Sequence, residues 1–317
     1  MLENRFAIAT AAATFLLLLV GSVVNPTGSS LACPEAWFIC QGSMFPQMSG
    51  GVLYEHGHRM VAMLVGLLQI GLTVVLWLRR PALAWLGVGA LAMVIVQGSL
   101  GAATVHYQLP TAISTGHLLL AMLYFATLLH LCWRTRRPEP AAAAGIDSWT
   151  APADVQPLRR LIGFTALAVY AQIGLGALVR HTGGALACID LPLCAGSVWP
   201  AGAPLPLQLH MAHRIAGVVV ALVVVASAIA VYRRAAGHRL VRVMAVAAVV
   251  LVAGQVALGP LAIATFRAIP VVAAHLGLAA LLWGVWVALY LSARGICPAP
   301  VGAGGRVAPA ALEEAFS

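Results

Sequence analysis

The sequence predicts an all-α membrane protein in which eight transmembrane helices form two homologous four-helix bundles. Three observations carry that prediction. Only 9% of the 317 residues are charged and 62% are hydrophobic, whereas an ordinary soluble domain carries about 25% charged residues. The apolar residues gather into eight runs, each near the roughly 20 residues that a membrane-spanning helix needs. The first half of the chain also matches the second at chemically distinctive residues.

The runs are Phe6–Val24, Val52–Leu78, Ala82–Val105, Thr111–Trp133, Leu161–Val179, Leu207–Tyr232, Val241–Thr265 and Ala268–Ser292. They are too long and too evenly apolar for barrel strands, and open strands cannot satisfy their backbone groups in lipid, so they are helices. The first run follows Arg5 but exceeds the about 7–15 residues of a signal-peptide core, so it reads as a span. Ser30-Leu31-Ala32-Cys33 faintly resembles a lipoprotein cleavage site. Its leucine is one place off, however, and Leu-Ala-Cys recurs at 186–188.

The basic residues are all arginine, and they sort by side. Arg5, Arg79, Arg80, Arg134, Arg136, Arg137, Arg159, Arg160, Arg233, Arg234, Arg239, Arg242, Arg294 and Arg306 fall on one side of the eight runs. Arg180 and Arg267 lie in loops on the other, with Arg59 and Arg214 just inside helix ends. The positive-inside rule then predicts a multi-pass cell-membrane (inner-membrane) protein with both termini cytoplasmic. Arginines scattered between apolar runs exclude a nucleic-acid-binding face; the bilayer is the expected partner. Of nine acidic residues, eight are expected in tails or loops, and Glu55 alone lies beside an apolar run.

The internal match is ordered and nearly constant in offset. Thr27-Gly28, Leu31-Ala32-Cys33 and His58-Arg59 recur 155 residues later as Thr182-Gly183, Leu186-Ala187-Cys188 and His213-Arg214. Cys40, Gly42, Ser43 and Pro46 recur at 154 as Cys194, Gly196, Ser197 and Pro200, and Gln97, Gly101 and His117 recur at 158 as Gln255, Gly259 and His275. Composition alone makes apolar helices resemble one another, but it does not repeat Cys, His-Arg and Pro in one order. Four helices per half is even, so both halves run the same way through the membrane. The expected division is 1–137, a cytoplasmic linker over 138–157 rich in proline and alanine, 158–295, and a tail over 296–317.

Ionisable groups inside spans are costly and mark function. His58 and His213 sit about two turns into helices that enter from outside, and His117 and His275 sit similarly deep in theirs. Two imidazoles facing across a bundle are the ligand set of a haem iron; zinc prefers a third or fourth N, S or O ligand. Arg59 and Arg214, next to these histidines, suit haem propionates or the outer interface. Gly57, Gly116 and Gly217 flank the positions and admit a flat ring or a neighbouring helix. His130, His181 and His238 are expected to be solvated, and His106 to lie in an outer loop. His56 points to another face than His58. His210 shares the face of His213 and occupies the place that Glu55 holds in the first half, an i,i+3 neighbour of the ligand position. The repeat thus keeps the histidines and changes this companion. Cys33 with Cys40, and Cys188 with Cys194, share outer loops in an oxidising compartment, where a staple or a redox pair is permitted.

With these residues the chain resembles the haem A synthase family, which includes the mitochondrial cytochrome oxidase assembly factor. The resemblance covers residues 1–295. It rests on the two four-helix halves, the outer cysteine pairs, Glu55-x-x-His58-Arg59, His117, His213-Arg214 and His275. It implies an oxidoreductase that converts the C8 methyl of haem O to a formyl group by successive hydroxylations, for cytochrome c oxidase. It implies haem b between His213 and His275 and the substrate haem between His58 and His117. Glu55 then matches the family's carboxylate, which takes a proton or stabilises a cationic intermediate. An apolar pocket around it is expected to raise its pKa. Cys33 and Cys40 match a pair present in one subclass, and Cys188 and Cys194 match a structural disulfide. Implied partners are the haem O synthase, an electron acceptor and further copies of the chain. A quinone-linked cytochrome b explains the histidines but gives Glu55 no task. A membrane thiol-disulfide oxidoreductase explains the cysteines but not the histidines. A non-catalytic haem carrier is the remaining alternative.

Overall fold

The computed structural model describes residues 2–35, 38–136, 155–236 and 238–294. Eight helices follow in order: α1 (Leu2–Val24), α2 (Gly50–Arg79), α3 (Pro81–His106), α4 (Thr111–Thr135), α5 (Val155–His181), α6 (Leu205–Arg234), α7 (Arg239–Ala264) and α8 (Ile269–Arg294). All eight are long and apolar enough to cross a membrane. They extend most expected spans outward by a few residues, because the flanking polar residues keep helical hydrogen bonding. Most of the linker expected over 138–157 and all of the tail over 296–317, with Arg137 and Arg306, lie outside the described residues. Residues 155–157 belong to α5, where Pro157 is tolerated in the first turn because no helical carbonyl waits for its missing N–H.

Each half closes on itself. α1 packs on α2, α2 on α3, α3 on α4 and α4 on α1, and α5 to α8 repeat that ring. The halves meet through α1 against α8, α4 against α5, and α4 against α8. Exchanging the halves turns the first of these pairs into the second and leaves the third unchanged. Equivalent helices run in the same direction, so the pseudo-twofold axis lies along the helices, between α4 and α8. The change of offset from 155 to 158 has a simple origin. Arg80 alone joins α2 to α3, whereas residues 235–238 join α6 to α7.

Both ends of the assembly are held by polar contacts. At the arginine-rich end, Glu3 accepts from Arg80 Nε at 2.9 Å, and the Asn4 amide donates to the Cys132 carbonyl and to Thr135 Oγ1, each at 3.1 Å. Glu3 was expected in a tail; it is buried in the first turn of α1, because this ion pair compensates its burial. At the other end, two arginines of the second half grip the last turn of α1. Arg180 Nη2 donates to the Ser22 carbonyl at 3.2 Å, and Arg267 Nη2 to Asn25 Oδ1 at 3.0 Å. Cations suit the negative end of a helix dipole. Midway between, Tyr170 Oη and Trp283 Nε1 of the second half donate to the Leu119 and Met122 carbonyls of α4.

Leu67, Trp85, Leu222 and Val250 are exposed on the outer surface, as lipid-facing side chains are. The first half also buries a polar cluster. Tyr124 Oη donates to Gln69 Oε1 at 2.8 Å, and Gln69 Nε2 donates to Thr73 Oγ1 and the Gly87 carbonyl. At the same offsets the second half has Val224, Ala228 and Leu282, all buried. We expect Tyr124→Phe to strand Gln69 Oε1 and cost about 1–3 kcal/mol, read as a lowered thermal midpoint in detergent, whereas Leu282→Met should cost less.

Candidate haem sites

The four histidines fall at matched depths. His58 and His213 each lie eight residues beyond the first residue of α2 and α6, and His117 and His275 each lie six beyond that of α4 and α8. At 1.5 Å rise per residue these are roughly 12 and 9 Å inside the helix ends. His58 is within electrostatic range of His117, and His213 of His275. Each ring is partly exposed. The Nδ1 atoms of His58, His117 and His275 are buried with no hydrogen-bond partner among the described residues. With Nδ1 enclosed, each of these rings has Nε2 left as its ligand atom. Facing pairs of such rings fit the two axial positions of a haem iron.

Small and amide side chains shape these places. A Cβ added to Gly21 of α1 would meet His58 Cε1 at 2.8 Å, and one added to Gly176 of α5 would meet His213 Cε1 at 2.9 Å. Gln97 Nε2 donates to the His117 carbonyl at 2.8 Å, and Gln255 Nε2 to the His275 carbonyl at 2.7 Å. Gly21 with Gly176 and Gln97 with Gln255 keep the offsets 155 and 158. That recurrence was the available signal, and it was legible for the glutamines but went unused. Of the glycines singled out from the sequence, Gly116 meets nothing within 4 Å, Gly57 only Met48 at 3.9 Å, and Gly217 the Gln172 amide at 3.1 Å.

Beyond the histidines, two disulfide loops close the end opposite the one where Glu3 meets Arg80. Cys33 is bonded to Cys40 and Cys188 to Cys194. Each loop turns through consecutive left-handed residues, Gln41-Gly42 and Ala195-Gly196, with Cys40 paired to Ser43 and Cys194 to Ser197. The Glu35 carboxylate braces the first turn through the Gln41 and Gly42 N–H groups, each at 2.9 Å. Its own backbone N–H, then that of Gln41, hold the carboxyl below its ordinary range. Asp190 accepts from the Ala195 N–H in the same way.

The two arginines hold these loops. Arg59 donates to the carbonyls of Glu35 at 2.6 Å, Cys33 at 2.9 Å and Ile39 at 3.1 Å. Arg214 donates to those of Asp190 at 2.7 Å, Leu193 at 2.9 Å and Cys188. Besides the haem propionates or the outer interface expected from the sequence, both guanidinium groups thus have loop carbonyls as partners. Glu55 is part of the same clamp. Its Oε1 accepts from Arg59 Nη2 at 2.7 Å and its Oε2 from the Cys33 N–H at 2.8 Å. The purely apolar pocket expected around Glu55 is therefore replaced by an arginine and an amide.

Residues 49–287 match the COX15-CtaA family, described as cytochrome oxidase assembly protein. The chain belongs to this family. It is 33% identical to the heme A synthase of Symbiobacterium thermophilum over 88% of this chain and 91% of that protein. It is 30% identical to the heme A synthase of Shouchella clausii over 84% and 88%, and 29% identical to that of Geobacillus kaustophilus over 97% and 98%.

Within this COX15-CtaA chain the remaining histidines separate by surroundings. His56 is fully buried, with Nε2 3.1 Å from the Met44 carbonyl. It packs at the first disulfide, where Cys33, Cys40 and His56 bring their ligand-type atoms within 4.8 Å; bonded to each other, the sulfurs offer no thiolate to a metal. Met211 takes the corresponding place at the second disulfide. His210 turns from the ligand position and meets the Gly184 carbonyl through Nδ1 at 2.8 Å. His106 ends α3. His181 corrects an expectation. It ends α5, near a helix end as expected, but it is only half-exposed: Thr115 Oγ1 lies 3.1 Å from its Nδ1, and Thr111 Oγ1 donates to its carbonyl. Two residues more of α5 than expected carry it into the contact with α4.

Two outcomes follow from this geometry. Gly176→Ala should push the His213 ring off position and lower the haem content of purified protein, with folding checked by circular dichroism; unchanged haem content would contradict the close approach. Glu55→Ala leaves the buried Cys33 N–H without an acceptor and takes one of several acceptors from Arg59, and should cost about 1–3 kcal/mol. Glu55→Gln, which keeps an acceptor for Cys33, should cost clearly less by thermal denaturation.

Proposed function

We propose that this chain is a haem A synthase, an oxidoreductase of the cell membrane that oxidises the C8 methyl of haem O to the formyl group of haem A. The observation that carries the reading is one carboxylate, Glu55, beside one of two pseudo-equivalent histidine pairs in a chain of this family. A pure electron carrier needs the histidines but not this difference. In each of two rounds the methyl carbon takes up oxygen from water and loses two electrons and two protons, giving an alcohol and then a gem-diol, which loses water to leave the aldehyde. Electrons pass to an acceptor outside the chain.

In this reading residues 1–137 form the substrate half, with His58 and His117 at the haem O iron, and residues 158–295 form the cofactor half, with His213 and His275 as axial ligands of haem b. When bound, that haem supplies a one-electron redox centre. The chain supplies the rest. Gln97 and Gln255 hold the main chain at His117 and His275. Gly21 and Gly176 give the other two rings room. Glu55 lies at the outer wall of the substrate half, where it takes a proton or stabilises positive charge on the methyl carbon. Arg59 and the Cys33 N–H hold that carboxylate in place.

Haem O carries a long apolar tail, so entry from the bilayer keeps that tail out of water. We also infer that both termini face the cytoplasm, since the end where Glu3 meets Arg80 carries most of the arginines. The haem O synthase is the expected supplier of substrate, and homo-oligomers are expected.

The test is co-expression with a haem O synthase, followed by haem extraction. The native chain should yield hydroxylated haem and haem A. Glu55→Gln should retain haem, accumulate haem O and form haem A about 100-fold more slowly, the scale of a lost acid-base group. His213→Ala or His275→Ala should remove the haem b spectrum even without haem O supply. Folded native protein that forms neither product would refute the reading.

A further inference from the structure

Of the four paired histidines, one has a partner for its Nδ1 atom. Gln172 Nε2 lies 3.0 Å from His213 Nδ1 and donates to the His213 carbonyl at 2.9 Å. Nδ1 of His58, His117 and His275 is buried and without such a bond. Gln172 sits on α5 one turn before Gly176, so both lie on the face that meets the His213 ring. The offset of 155 that aligns Gly176 with Gly21 aligns Gln172 with Leu17, which has no polar atom to offer His58.

A second difference accompanies the first. Gly217 of α6 lies 3.1 Å, at its would-be Cβ, from the Gln172 amide nitrogen. Its counterpart at the same offset is Ala62. Glycine inside a helix is less favourable than alanine, and here it leaves the space that the amide occupies. Leucine with alanine in one half and glutamine with glycine in the other form two matched pairs.

We propose that Gln172 is a positioning residue that makes the second half the one retaining its haem, by fixing His213 through Nδ1. The proposal rests on the assignment of the resident haem to His213 and His275. An imidazole bound to iron through Nε2 carries its proton on Nδ1 and seeks an acceptor there. Gln172 Oε1 is buried with no partner. Rotating the amide so that Oε1 replaces Nε2 beside Nδ1 gives that proton its acceptor, in exchange for the bond to the His213 carbonyl. The amide ends are chemically distinct but nearly isosteric, so the same side chain serves either bond. An acceptor on Nδ1–H makes the imidazole a stronger donor, favours the ferric iron, lowers the midpoint potential and slows ligand release. His58 lacks that acceptor, which suits a site whose haem must leave as product.

The experiment uses the purified full-length chain loaded with haem. It measures the midpoint potential by spectroelectrochemical titration and haem loss by capture with excess apomyoglobin. Gln172→Leu should raise the potential and speed haem loss about tenfold or more, the scale of a lost outer-shell partner. Gln172→Glu provides a stronger acceptor and should shift the potential below the native value. Opposite shifts separate an Nδ1 bond from mere packing; potentials that move together, or stay with haem loss at native values, overturn the proposal. If Gln172→Leu does not accumulate, Gln172→Met takes its place. His213→Ala is the control. If it keeps the haem spectrum, the assignment of the resident haem fails. If it loses the spectrum while the Gln172 variants behave as native, only the role of Gln172 fails.

Discussion

A guanidinium group facing loop carbonyls sets the outer architecture of both halves. Arg59 follows His58 directly, and Arg214 follows His213, so an arginine bonded to a loop also sets the height of its neighbouring histidine. Each reaches back 20 to 26 residues to carbonyls around a disulfide. At the membrane boundary, carbonyls that turn inward have little water to replace a lost donor, which makes the clamp costly to open. The disulfide shortens the loop so that several carbonyls converge on one planar fork, the geometry that arginine matches and lysine does not. In the first half the fork has one more acceptor, Glu55, and the catalytic proposal depends on it. The carboxylate stays oriented because the clamp supplies both of its donors.

The helices were legible because hydrocarbon imposes a single demand on length and apolarity. The histidines were legible because a duplicated chain repeats costly residues at one spacing. What stayed hidden depends on contacts between elements distant in sequence. The loop contacts of Arg59 and Arg214 were hidden because nothing in the periodicity of α2 or α6 reveals that a loop folds back over the helix start. The contact of His181 with α4 was hidden because it joins elements distant in sequence, and the burial of Glu3 because an ion pair with Arg80 carries α1 into the polar flank. Gln97 and Gln255 stood inside the repeat, but their bonds to the His117 and His275 carbonyls join neighbouring helices, which a repeat alone does not reveal. Gly21 and Gly176 were invisible because a glycine in an apolar helix carries no label of what it touches.

The two halves share a backbone plan down to their turns. Left-handed residues recur at Gly28 and Gly183, and at Gln108-Leu109 and Phe266-Arg267. Their differences concentrate in polar companions. Glu55 faces His210, Asn25 faces Arg180, Leu17 faces Gln172, and the Gln69 cluster faces Val224 and Leu282. A polar side chain in an apolar bundle is tolerated where it has a partner, and most of these have one in the structure. The substitutions are therefore coupled changes of network, with the ligand histidines and the loop clamps left in place.

That pattern constrains how one duplicated unit can perform two tasks. A haem that stays and a haem that leaves as product cannot be served by identical sites, since retention and release place opposite demands on ligand strength. Replacing a histidine would abolish binding outright. Changing the group behind a histidine, or beside it, adjusts strength and reactivity in smaller steps while the fold stays the same. On this argument the informative residues are the neighbours of the ligands. Glu55 sets what the first half does to its haem, and Gln172 sets how firmly the second half keeps its own.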